Sequence, residues 1–173
     1  MLFICWRSRD PWLGDYSMHR HILIPTDGSA LSQAAVEYGS ALAKSVGAKV
    51  TLLTVSAPFH VVAVEPRMVT DTAEQYAKQV AAQANKYLDA AKEVALAAGV
   101  SCETVRVEHD HPYLAIIETA AMKSCDLIVM ASHGRRGISA VVLGSETSKV
   151  LTHSSTPVLV VRPPSRPFIS IES

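Results

Sequence analysis

The chain is short of cysteine, of net charge and of long apolar runs, and each shortage removes a class of protein. Cys5, Cys102 and Cys125 are odd in number and form no CxxC pair, which argues against a disulfide framework or a zinc ribbon and fits a reducing cytoplasm. Sixteen basic residues balance sixteen acidic ones, so no net field exists to hold a nucleic acid or an anionic membrane, and any polyanion specificity must be local. No apolar run approaches the roughly 20 residues of a membrane span. The opening from Met1 to Trp6 is too short for a secretory signal, with its charge on the wrong side. Catalytic signatures are missing too: there is no GxGxxG, no Walker lysine, no GxSxG and no paired carboxylates near the loop described below. Without a P-loop lysine and a Walker-type aspartate, rapid phosphoryl transfer has little support.

What remains, at 173 residues, fits one domain able to bury most of its unfolded surface. Residues 1–20 show neither period 2 nor period 3.6 and read as a loose N-terminal extension; residues 21–164 carry the domain, and 165–173 a frayed tail. His21 to Pro25 is a short apolar strand running into a polar turn at Thr26 and Asp27. Ser29 or Ser32 then caps a helix with Ala34, Ala35, Tyr38, Ala41, Leu42 and Val46 on its apolar face, closed by Gly47. Lys49 to Val55 is the next strand, and 56–69, with Pro58 and Pro66, the longest irregular connection. From Thr70 to Ala98 a helical period holds through Ala73, Ala77, Val80, Ala84, Tyr87, Leu88, Ala91, Val94 and Ala95, a core-packing face stopped by Gly99.

Cys102 to Glu108 alternates like an edge-ward strand, Tyr113 to Lys123 is a helix entered through Pro112, and Leu127 to Met130 is a buried strand. Glu146 to His153 suits a short surface helix, and Pro157 to Arg162 is a fifth apolar run. Five strands alternating with helices predict a single doubly wound α/β domain, a five-stranded parallel sheet with helices on both faces, and the Rossmann-like strand order 3-2-1-4-5 is the one expected for it. Ligands of such sheets sit beyond the strand C-termini, at the switch in strand order. After Met130 the chain breaks into small, polar and basic residues and regains order at Gly144-Ser145 before a helix. That arrangement gathers unpaired backbone N–H groups and a positive helix end at one point, a phosphate cradle. His109, Asp110 and His111 have metal-ligand chemistry but no third ligand close in sequence, so they read as a strand-end loop. Cys102 and Cys125, at strand starts, read as small apolar fillers.

These blocks closely resemble the universal stress proteins: the strand ending Pro25-Thr26-Asp27-Gly28-Ser29, the run Asp126 to Gly134, Gly144-Ser145 and a helix, then Pro157 to Val161. The nucleotide-binding branch of that family carries Gly, two residues, Gly, nine residues, Gly, then Ser or Thr; here those places hold Ala131, Gly134, Gly144 and Ser145, so Ala131 departs. The resemblance implies that Asp27 and the backbone at Pro25 and Thr26 hold ribose and adenine, with Val55 and Met130 flanking the base. It implies that Gly134, Gly144, Ser145 and Thr147 line the phosphates, with Glu146 in the same helix start and Arg135 and Arg136 adding charge. His133 either touches phosphate or faces solvent.

The expected function is therefore that of an adenine-nucleotide (ATP, ADP or AMP) binding stress or signalling protein. At most it hydrolyses ATP slowly, with Mg or Mn held through the phosphates. The competing expectation is a nucleotide-free dimeric interaction module whose cradle is narrowed by Ala131, Arg135 and Arg136; a true hydrolase is a distant third. Either way a homodimer is expected through 157–162, an apolar run at a sheet edge.

Overall fold

The computed structural model describes residues 19–58, 69–133 and 143–162, with side chains from 74 onward in the second stretch. Gly134, Arg135 and Arg136, most of the N-terminal extension and the tail 165–173 lie outside the described residues. The elements are β1 (His21–Pro25), α1 (Ala30–Val46), β2 (Lys49–Ser56), α2 (Val69–Ala97), β3 (Cys102–Glu108), α3 (Pro112–Met122), β4 (Leu127–Ala131), α4 (Ser145–His153) and β5 (Val158–Val161). Every strand pair is parallel, as the alternation of apolar runs and helical periods predicts, and the order is β3-β2-β1-β4-β5, the expected Rossmann-like one. Among the described residues, no helix is long and apolar enough to cross a membrane.

Strand alternation splits the core into two layers. Ile22, Ile24, Val50, Leu52 and Val129 meet Val36 and Ala43 of α1 and Leu88, Ala91 and Ala95 of α2 on one face. Leu23, Leu53, Ile128 and Met130 meet Ile116 and Ala120 of α3 and Val150 of α4 on the other. The central strands are buried on both faces, which is why they read as unbroken apolar runs.

Two helices depart from their expected faces. In α1 the buried residues are Ser32, Ala35, Val36, Gly39, Ser40 and Ala43, whereas Tyr38 is 52% exposed and Ala41 is exposed. Small size, not hydrophobicity, selects this face: a Cβ at Gly39 would lie 2.5 Å from Ile24 Cδ1, so the helix sits closer to the sheet than a larger residue allows. In α2 the expected stripe is buried at Ala84, Leu88, Ala91 and Ala95, but Ala77 is exposed. At about 1.5 Å per residue this 29-residue helix spans ~44 Å, against ~26 Å for the eight residues of β2 at about 3.3 Å each. Because α2 runs back antiparallel to the strands, the excess at its N-terminal end overhangs the C-terminal rim of the sheet.

At the opposite rim, polar side chains replace apolar packing. Asp126 accepts the Arg20 and His21 amides at 2.7 and 3.3 Å and lies 3.5 Å from His19 Nδ1, so the chain is tied down from 19 onward. His21, 4% exposed, meets Thr51 Oγ1 at 2.7 Å; Thr51 donates to Glu103 at 2.8 Å, and Glu103 pairs with Lys123 at 2.9 Å. Burial, then the nearby Lys49 ammonium, hold His21 below its ordinary pKa. Burial pushes the Cys125 thiol up to about 11, consistent with a filler residue and not a nucleophile.

Candidate functional site

The order of strands reverses between β1 and β4, and the crevice expected at that switch is built by one residue. Thr26 donates its N–H to the Leu53 carbonyl of β2 at 2.8 Å. Successive residues of a central strand bond to opposite neighbours, so the N–H that Pro25 lacks is one that would face β4. Accordingly the β1–β2 ladder runs the whole of His21–Pro25, while the β1–β4 ladder pairs only Ile22 with Leu127 and Leu23 with Ile128. The two strands part toward their C-terminal ends.

On the β1 side of the opening the turn is self-bonded. Thr26 is 5% exposed; its hydroxyl lies 3.1 Å from Ser32 Oγ and its carbonyl accepts Thr54 Oγ1 at 3.0 Å. Asp27 Oδ1 accepts the Ser29 amide at 3.0 Å, and Ser29 in turn caps α1 through the Ser32 amide. Gly28 has φ +74°, and a Cβ there would fall 2.1 Å from the Tyr87 ring, so the α2 tyrosine lies directly on the turn. Asp27, Val55 and Ser56 together with Tyr76, Gln83 and Tyr87 of the α2 overhang line a cavity of about 240 Å³. That is slightly below the about 300–1,000 Å³ of most small-molecule sites, a size for one ring system and its sugar. Tyr87 carries no signal of its own in the sequence, because it belongs to the helical stripe that packs the core further along, and Tyr76 and Gln83 fall outside that stripe.

On the β4 side two chain segments are clamped backbone to backbone. Gly144 donates its N–H to the Ser132 carbonyl at 2.8 Å, and a Cβ on Gly144 would lie 3.3 Å from both Ser132 O and His133 Cα. Glycine is favoured here by close approach, not by a positive φ, since its φ is −60°. Thr147, 3% exposed, donates its hydroxyl to the Ala131 carbonyl at 3.0 Å. Ala131 is the last residue of β4, paired with Val161, and it is not among the positive-φ residues, so its methyl meets no backbone strain. The first intrahelical bond of α4 runs from the Ser148 amide to the Gly144 carbonyl. The helix therefore offers no partner for the amides of Ser145, Glu146 and Thr147.

The candidate residues thus fall into two groups. Asp27 and Val55 share the cavity, and Ala131, His133, Gly144, Ser145 and Thr147 share the cradle. Met130 packs among Leu23, Ile128 and Val150 in the core and is not on the cavity wall. His133 is 8% exposed, with Nδ1 3.2 Å from Ser132 Oγ, which overturns the solvent-facing alternative. Both oxygens of the Glu146 carboxylate are taken up within the protein, one accepting the Tyr113 amide at 3.0 Å and the other pairing with Lys149 at 3.1 Å. His109 Nδ1 accepts the His111 amide at 2.9 Å, a strand-end turn.

This architecture has relatives. Residues 18–162 match the model of the universal stress protein family. Universal stress protein MJ0531 of Methanocaldococcus jannaschii is 31% identical over 153 residues, covering 87% of this chain and 86% of that protein. Among solved structures, the universal stress protein UspA from Lactobacillus plantarum superposes with a TM-score of 0.69 at 26% identity, over 83% of this chain and 97% of that one. A universal stress protein in complex with cAMP superposes with a TM-score of 0.59 at 28% identity, over 83% and 97%. Sequence match, sheet order and superposition over most of the chain agree: this chain belongs to the universal stress protein family.

Proposed function

We propose that the chain binds an adenine nucleotide across the β1–β4 crevice, with base and ribose in the cavity beside Asp27 and the phosphates at the start of α4. The observation that carries this reading is the pairing of a carboxylate-lined cavity with a helix N-terminus on one strand-switch rim. A carboxylate suits ribose hydroxyls or an exocyclic amine, and the helix start suits anions. The cAMP complex of a relative 28% identical to this chain supports the same class of ligand. A small anionic nucleotide also fits the chain's lack of net charge, since the required field is local.

Within that class we assign ATP, ADP or AMP, a stress or signalling role and at most slow ATP hydrolysis. A divalent ion, Mg or Mn, would ride on the phosphates. The chain's own contribution is to hold and orient the nucleotide, in keeping with a sequence that carries neither a Walker lysine nor a GxGxxG loop. We also assign a homodimer through β5, whose half-buried Val158–Val161 closes one edge of the sheet.

The nucleotide-free reading draws on one observation: the Gly144 amide and the Thr147 hydroxyl are both taken up inside the protein, leaving fewer donors for phosphate. Titration calorimetry with ATP, ADP and AMP separates the two. Saturable heat is expected, with Asp27→Ala weakening affinity roughly 10-fold or more, as the loss of a charge-assisted hydrogen bond implies. No heat at millimolar nucleotide, together with no purine released from freshly purified protein on denaturation, would favour the module.

A further inference from the structure

The first turn of α4 carries an acidic residue where an anion is to bind, and the structure shows what that residue does instead. α3 has its own unfilled end. Its N-cap, His111, makes no side-chain capping bond, and Pro112 has no amide. The Leu114 and Ala115 amides reach the His111 carbonyl at 3.1 and 3.3 Å. Tyr113 alone is left without a local acceptor, and Glu146 Oε2 supplies one from the other helix at 3.0 Å. The second oxygen, Oε1, holds Lys149 Nζ at 3.1 Å. Lys149 in turn lies 5.1 Å above the Tyr113 ring centre, and the His153 ring is 5.6 Å from the same ring. Residues 146, 149 and 153 form one stripe of α4, so the helix docks on a single tyrosine through three side chains.

We propose that Glu146 is a positioning residue: by capping α3 across the gap it fixes the direction of α4, and hence of the Ser145–Thr147 amides, while keeping its own charge off the cradle. The inference rests on the nucleotide reading above. Two positive helix ends converge on this carboxylate, and Lys149 compensates it further. A phosphate at the α4 start therefore meets an oriented set of amides and a carboxylate whose two oxygens are already occupied.

The test is calorimetric titration of ATP and of adenosine into wild type, Glu146→Ala and Glu146→Gln. Glu146→Ala removes the acceptor and frees α4, so ATP affinity is expected to fall about 5- to 10-fold, the worth of one charge-assisted bond, while adenosine affinity stays within about 2-fold because the cavity does not contain this helix. Glu146→Gln keeps an acceptor oxygen for Tyr113 and is expected to recover most of the ATP affinity. Unchanged ATP binding in Glu146→Ala, an equal fall for adenosine, or a Gln variant as weak as the Ala variant would overturn the assignment and leave nucleotide binding intact. Wild type that binds neither ligand removes the nucleotide reading and this role with it.

Discussion

Replacing Gly28 by alanine tests the link between the β1 turn and the α2 overhang. Two costs add at this position. A left-handed residue other than glycine costs about 1–2 kcal/mol, and the φ here is +74°. The new methyl also falls 2.1 Å from the Tyr87 ring, so the ring must move, at about 1–3 kcal/mol for an overpacked contact. The stiffer unfolded chain returns about 0.4–1 kcal/mol, which leaves a net loss of roughly 1–5 kcal/mol. Gly47 is the control, since its φ is +70° but nothing lies within 4 Å of its missing Cβ. Gly47→Ala therefore carries the conformational cost alone, about 1 kcal/mol. Urea unfolding at fixed protein concentration reads both values, and the Gly28 variant should melt roughly 5–15 °C below wild type. In a Tyr87→Ala background the cost of Gly28→Ala should fall to that of the control. Equal losses at Gly28 and Gly47, or no relief from Tyr87→Ala, would refute the claim that the overhang rests on the turn.

Stability should also depend on pH at both ends. His21 has a folded pKa below its ordinary 6.5, so the unfolded chain takes up its proton first, and stability declines as pH falls through that value. Glu103, held below 4.5 first by its hydrogen bonds to Lys123 and Thr51, adds a further loss at lower pH. Cys125, raised from 9.0 to about 11, contributes stability that is lost as pH rises between those values. Urea midpoints across this range, with His21→Gln as the variant that flattens the loss just below pH 6.5, check the signs; a flat wild-type profile there refutes the first. For the β5 edge, sedimentation should show a dimer at micromolar concentration. Val160→Lys should yield monomer, because Val160 belongs to neither core cluster and a charge blocks strand pairing. Wild type sedimenting only as monomer refutes the edge contact.

How much of this was legible in the sequence depends on the distance over which each cause acts. The apolar run Leu127 to Met130 identifies a buried parallel strand because burial on both faces leaves no polar positions, and Pro157 to Val161 reads as a strand in the same way although Val158–Val161 is only half-buried at the sheet edge. Ser29 and Gly47 announce the ends of α1 because caps are local. The face of α1 was not legible, since Gly39 is buried by its lack of a side chain and hydrophobic periodicity gives that no weight. The overhang of α2 was not legible either: its stripe through Val80 and Tyr87 keeps the same period toward the end of the sheet, where it lines a cavity instead of a core. Glu146 sits in the motif helix and reads as a ligand contact. Its partner, the Tyr113 amide, is 33 residues away, and nothing in either segment names the other.

The imino acid at position 25 gives the crevice between β1 and β4 an unusual permanence. A gap held open by a bulky side chain can heal when that side chain swings aside, but here the seam between the first and fourth strands ends for want of a hydrogen atom. No rotamer change supplies one. Any residue other than proline would offer the missing donor, so the seam could zip further and narrow the mouth. The width of the entrance is in this sense covalent, settled at synthesis before any ligand arrives.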